Sequence, residues 1–141
     1  MDDTEWIETQ ESVEIFIKEA SQVLIEPDYD LVVQRERKEE DPLDLYTTKN
    51  TLLDLEYDED DVKAEILTLL PCHYCKTAVD TKRPTSPPFR FFVKEIKGKD
   101  VYIKFKIRGI KKKQMFCMSF HYPRWSIENR PYCGQSARRP E

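Results

Sequence analysis

Glycine is scarce in this sequence. Three glycines in 141 residues leave no room for a phosphate-cradling loop, and neither G-x-x-x-x-G-K-S/T nor G-x-G-x-x-G occurs. H-E-x-x-H and G-x-S-x-G are missing as well. No apolar run approaches the ~18 residues of a membrane span, and the acidic opening MDDTEWIETQ lacks the shape of a signal peptide. Cys72, Cys75, Cys117 and Cys133 do not make a disulfide framework for a chain of this length, which points to a reducing cytoplasm. The strand-rich part holds no carboxylate pair. Glycosidase chemistry and two-metal phosphoryl transfer therefore lack ligands there.

What the chain does have is charge, and the charge is segregated. The net value of −4 conceals 22 acidic and 6 basic side chains in residues 1–71, against 3 acidic and 13 basic in residues 72–113. One segment is suited to a polyanion while the rest repels it.

That basic segment contains the most strongly patterned stretch, Phe89 to His121. Val101, Ile103, Phe105 and Ile107 alternate with Tyr102, Lys104, Lys106 and Arg108. Phe116, Met118 and Phe120 alternate with Cys117, Ser119 and His121. A period of two means strands with one buried face. A three-residue loop ending on Gly98, with Gly98 left-handed, would add Phe89, Phe91 and Val93 to the buried set. The polar face would then carry Arg90, Phe92, Lys94, Tyr102, Lys104, Lys106, Cys117, Ser119 and His121. A lysine-rich solvated sheet face is the plain alternative.

Ahead of these strands, Thr9–Ile25 reads as a helix with Thr9 as N-cap and a stripe of Val13, Phe16, Ile17, Ala20, Val23 and Leu24. Tyr29–Gln34 reads as a short edge strand, and Arg35–Asp44 as a charged surface loop. Two further helices are expected over Thr48–Leu55 and from an Asp58 cap to Leu70, where Pro71 stops the second. Residues 72–88 read as irregular. No βαβ rhythm appears. The expected fold is α+β, an antiparallel sheet with helices packed on one face, in a single domain over 1–141 with 1–8 and 134–141 flexible. Trp125 to Tyr132 is expected to dock on the body.

Cys72-His73-Tyr74-Cys75 is a C-x-x-C, but no second closely spaced pair follows it, so no metal site is expected. A tyrosine, a histidine and several cations on one sheet face suit metal-independent RNA cleavage. The 2′-hydroxyl of RNA supplies the nucleophile. A histidine can act as acid or base, and cations can stabilise the phosphorane. The products would be a 2′,3′-cyclic phosphate and a 5′-hydroxyl.

Lys49-Asn50, LLDLEYDEDDVKAEILTL, FFVKEIKGKDVYIKFKI and FCMSFHY together resemble the MqsR family of bacterial toxins, from about Tyr29 to Tyr132. The resemblance implies a RelE-like toxin architecture and a ribosome-independent mRNA interferase from a type II toxin–antitoxin pair. It also implies a cognate antitoxin partner. By motif, Tyr102 matches the family's active-site tyrosine and Lys76 an active-site lysine. His121 stands where the best-known members carry lysine, and the family's active-site glutamine has no counterpart, Phe89 being nearest by spacing.

The expectations are therefore specific. His121 and Tyr102 move protons and orient phosphate, and Lys94 and Lys76 stabilise the phosphorane. Arg90, Lys104, Arg108 and Ser119 hold RNA. No cofactor, membrane contact or direct DNA binding is expected. The rivals are a non-catalytic RNA- or protein-binding module using the same basic sheet face, and a zinc-dependent regulator built on the cysteines.

Overall fold

The computed structural model describes residues 4–126 and 129–133. The expectations for residues 1–3 and 134–141 fall outside them, as does part of the expected Trp125–Tyr132 docking segment. In chain order the elements are β1 (Glu5–Trp6), α1 (Gln10–Ile25), β2 (Leu31–Val33), α2 (Thr48–Leu55) and α3 (Glu59–Leu67). A short 3₁₀ turn (Pro71–His73) leads into β3 (Tyr74–Ala78), β4 (Phe89–Ile96), β5 (Lys99–Arg108) and β6 (Gln114–His121). The architecture is α+β. Six strands form one open sheet in the order β1-β3-β4-β5-β6-β2. Every pairing is antiparallel except β2 with β6, which is parallel. Among the described residues, no helix is long and apolar enough to cross a membrane.

The helices start where the sequence places them, because each start carries a side-chain cap, but the third ends at Leu67 and not at Leu70. Thr9 accepts from Ser12 N, Thr47 from Asn50 N, and Asp58 pairs reciprocally with Asp61 in a capping box. All three helices cover one face of the sheet. Val13, Phe16, Leu24, Leu52, Val62 and Ile66 pack there against Phe92, Val101, Ile103, Phe105 and Phe120. Leu70, assigned to the stripe of the third helix, is exposed. The opposite face holds a smaller cluster of Cys75, Ala78, Phe89, Phe91 and Val93, with Tyr102, Phe116 and Met118 packed on it. Among the described residues it carries no helix.

Four expectations need correction. The β4–β5 loop has two residues, not three. Ile96 pairs with Lys99, and both Lys97 (φ 54°) and Gly98 (φ 81°) are left-handed, as a two-residue hairpin requires. A one-residue change of register turns a strand over. Phe92 therefore enters the helix-covered core with Arg90 and Lys94 beside it, while Phe89, Phe91 and Val93 lie on the open face. In β6 the register slips once: Lys104 faces Ser119 but Phe105 faces Cys117, leaving Met118 as the extra residue of a bulge. Cys117 and Met115 consequently enter the core, and Phe116 and Met118 lie on the open face.

The segment read as irregular contains β3. Its residues are buried on both sides of a bulge at Cys75, so no alternation marks it. Residues 5–8, expected to be loose, are tied down. Glu5 and Trp6 pair with β3, and Glu8 is the anchor for much of what surrounds it. Arg90 donates to both Glu8 oxygens (2.6 and 3.1 Å), and Ser12 and Thr77 hydroxyls donate as well. Burial alone raises a carboxyl pKa, but these hydrogen bonds outweigh it and hold Glu8 at about 2. Tyr132 reaches the same anchor through the Glu8 carbonyl and stacks on Tyr74. Trp125, in contrast, is exposed.

Candidate functional site

The open face of β3, β4, β5 and β6 brings together most of the expected site. Tyr102 and His121 are register partners on adjacent strands, with ring centroids 5.3 Å apart. Phe91 packs edge-on to Tyr102 at 5.6 Å and forms the floor. Two lysines stand over that floor, with Lys76 Nζ 4.9 Å and Lys104 Nζ 5.0 Å from the Phe91 ring centre. Ser119 lies opposite Lys104.

The histidine is oriented by its own backbone. Nδ1 lies 3.0 Å from the Tyr122 carbonyl. A carbonyl only accepts, so Nδ1 carries the hydrogen and Nε2 carries the lone pair. Burial, with Arg37 nearby, lowers the His121 pKa despite the opposing pull of that carbonyl. The ring is neutral at pH 7 and suited to act as a base. Burial raises the Tyr102 pKa, so the phenol keeps its proton and remains a donor.

The two lysines differ electrically. Lys76 is paired with Glu5 at 2.9 Å. Lys104 has no carboxylate partner among the described residues. Burial lowers its pKa first, and the charge of Arg37 lowers it further. Against these act the more distant carboxylates of Asp80 and Glu5 and the rings of Phe89 and Phe91 beneath it. Next along β5, Lys106 is fully buried, held by Asp80 at 2.7 Å and Ser86 at 2.9 Å. The β3–β4 loop thus folds over that part of the face. Arg108 lies on the same face beyond this cover, stacked over Phe116 and donating to Gln114.

Two of the expected residues are elsewhere. Lys94 points to the helix side, where it pairs with Glu65 at 2.8 Å and reaches the Glu65 carbonyl and Thr68. Arg90 is bound to Glu8 and lies over the Phe16 ring. Both were placed on the wrong face by the three-residue loop. Ser119 is on the expected face but only 2% exposed, so its hydroxyl is not a surface contact for RNA. It accepts a hydrogen bond from Arg37.

Arg37 is the residue that the sequence did not single out. It sits in the charged loop after β2, and its Nη2 donates to Ser119 Oγ (2.9 Å) and the Met118 carbonyl (3.1 Å). The contact spans more than eighty positions, and a charge run carries no periodicity to reveal it. Only a basic residue within an acidic stretch marked the place.

The four cysteines do not form one cluster. Cys72, Cys75 and Cys117 are free thiols. Cys75 is buried on the open face and Cys117 in the helix-side core. Among the described residues no group of three His, Cys, Asp or Glu side chains is arranged to hold a metal ion. Among the described residues the site therefore offers one imidazole nitrogen without a partner, one phenol and two cations without a paired carboxylate, Lys104 and Arg37, around an aromatic floor. It is equipped to bind an anion and to move a proton. No protein-family model matches the chain, and no curated protein or solved structure is significantly similar to it.

Proposed function

We propose that this chain is a metal-independent endoribonuclease of the toxin class that its MqsR-like motifs suggest. It would have a RelE-like architecture, act on mRNA in the cytoplasm, and be paired with a cognate antitoxin. One observation carries the proposal. His121, whose Nε2 has no partner among the described residues, and Tyr102 share an open sheet face with Lys104, which holds no carboxylate among them. His121 Nε2 takes the proton of the RNA 2′-hydroxyl as the 2′-oxygen attacks phosphorus. Lys104 and Lys76 stabilise the charge of the phosphorane. The Tyr102 phenol donates its proton to the departing 5′-oxygen. The P–O5′ bond breaks, leaving a 2′,3′-cyclic phosphate and a 5′-hydroxyl.

The test is cleavage of a defined RNA in excess EDTA, with the new ends identified chemically. Cyclic-phosphate ends, and loss of cleavage when the 2′-hydroxyl at the cut site is replaced by hydrogen, are expected. Cleavage only with Mg²⁺ would overturn the mechanism. Tight RNA binding without cleavage would leave a binding module instead.

A further inference from the structure

The cations near the site fall into two groups. Lys76, Arg90, Lys94 and Lys106 each hold a carboxylate within 2.9 Å. Lys104 and Arg37 hold none among the described residues; Arg108 holds none either, but it lies beyond the β3–β4 loop and its Nε donates to Gln114. A basic side chain kept beside another cation, without a carboxylate between them, is a standing electrostatic cost that an anion relieves.

Arg37 is also held for a purpose other than burial, because its side chain is exposed. Its backbone is fixed by a tight turn in which Arg37 N donates to Glu40 Oε1 and Glu40 N donates to the Arg37 carbonyl, both at 3.2 Å. The Glu40 carboxylate is thereby directed to the backbone, not to the guanidinium. A single nitrogen, Nη2, makes both hydrogen bonds to β6. The donors of Nε and Nη1 have no partner among the described residues. A guanidinium anchored by one corner presents a planar fork, and that geometry matches two oxygens of a phosphate.

We infer that Arg37 is the phosphate-gripping residue of this site. It binds the non-bridging oxygens of the RNA phosphodiester from above the sheet while Lys104 meets the same group from below. Ser119 is then a positioning residue, whose buried hydroxyl aims the guanidinium. This rests on the endoribonuclease reading for its catalytic consequence, but the phosphate grip itself is separable from cleavage.

The experiment uses the full chain with Arg37→Ala, Arg37→Lys and Ser119→Ala. Single-turnover cleavage is measured on one RNA, and affinity on its non-cleavable 2′-O-methyl counterpart across a salt series. Arg37→Ala is expected to keep its melting temperature, to slow cleavage by about 10²-fold or more, and to lose roughly one unit of salt slope in binding. Guanidinium ion added at millimolar concentration should restore part of the Arg37→Ala rate. Lysine should restore affinity better than rate, because it supplies charge without the fork. Ser119→Ala should slow cleavage less than Arg37→Ala, with the salt slope kept. Wild-type rate and wild-type affinity in Arg37→Ala would overturn the inference. So would a slow variant with a lowered melting temperature and no guanidinium rescue. If the wild-type protein binds but never cleaves, the catalytic reading fails. The grip then stands or falls on the Arg37→Ala affinity alone.

Discussion

The two faces of this sheet carry the same residue types at alternate strand positions and use them for different ends. On the helix-covered face, cations meet the acidic half of the chain. Arg90 closes on Glu8 and Lys94 on Glu65, so their charges tie the N-terminal segment and α3 to the sheet. On the open face Lys76 and Lys106 are paired too, with Glu5 and Asp80, but among the described residues Lys104 and Arg37 hold no carboxylate, and they lie near His121, whose Nε2 has no partner there. The charge segregation of the sequence is thus two things at once. Much of it is internal complementarity, and what remains uncompensated is the charge that the proposed function assigns to RNA binding. A strand cation is structural or functional according to which carboxylates the fold brings to it.

The sharpest break between the faces should appear in cleavage. His121→Ala is expected to slow single-turnover cleavage by about 10²–10⁴-fold, with RNA affinity little changed. Because burial lowers the His121 pKa, the acid limb of the wild-type rate should fall below the ordinary imidazole value of about 6.5. The rate should rise with pH as the ring loses its proton. A limb above that value, or a variant with wild-type rate, would remove His121 as the base.

On the helix side the effect should be on stability. Glu8→Gln leaves Arg90 without its counter-charge and should lower unfolding free energy by about 3 kcal/mol at pH 7, read by denaturant titration. Glu8 titrates at about 2 when folded and near 4.5 when unfolded. Its contribution is therefore complete above pH 4.5 and is lost as pH falls from 4.5 to 2, so wild type and variant should converge there. His73 adds a second acid-labile window. Burial, with Lys94 and Arg130 beside it, holds its pKa at about 4. The unfolded chain binds that proton more readily, and stability should decline as pH falls from about 6.5 to 4.

The smallest effect separates two lysines. Lys104→Met should reduce the salt slope of RNA binding by roughly one unit, while Lys94→Met should lower the melting temperature and leave the slope alone. Equal slopes for both variants would erase the distinction between the faces.

The sequence made the helices legible because caps and 3.6-residue stripes are local. It made β5 legible because its alternation is unbroken, and with it the shared face of Tyr102, Lys104, Ser119 and His121. Lys76 came only through the resemblance, yet the bulge in β3 does turn it toward Phe91. What was lost depended on single residues of register. Gly98 was rightly given a left-handed conformation, but the turn also bends at Lys97, and that one residue inverted β4. A bulge at Met118 did the same to half of β6. Arg37 was out of reach because nothing in its own neighbourhood indicates the strand it meets.

The chain has two histidines, and they sit on the two sides being compared: His121 on the open face, His73 beside Lys94. Imidazole ¹H–¹⁵N spectra recorded during titration with a non-cleavable 2′-O-methyl RNA therefore test the central claim directly. The His121 resonances should shift saturably while those of His73 stay in place. Movement of His73 with His121 unmoved, or no movement of either at saturating RNA, would contradict the assignment of the open face as the RNA-binding surface.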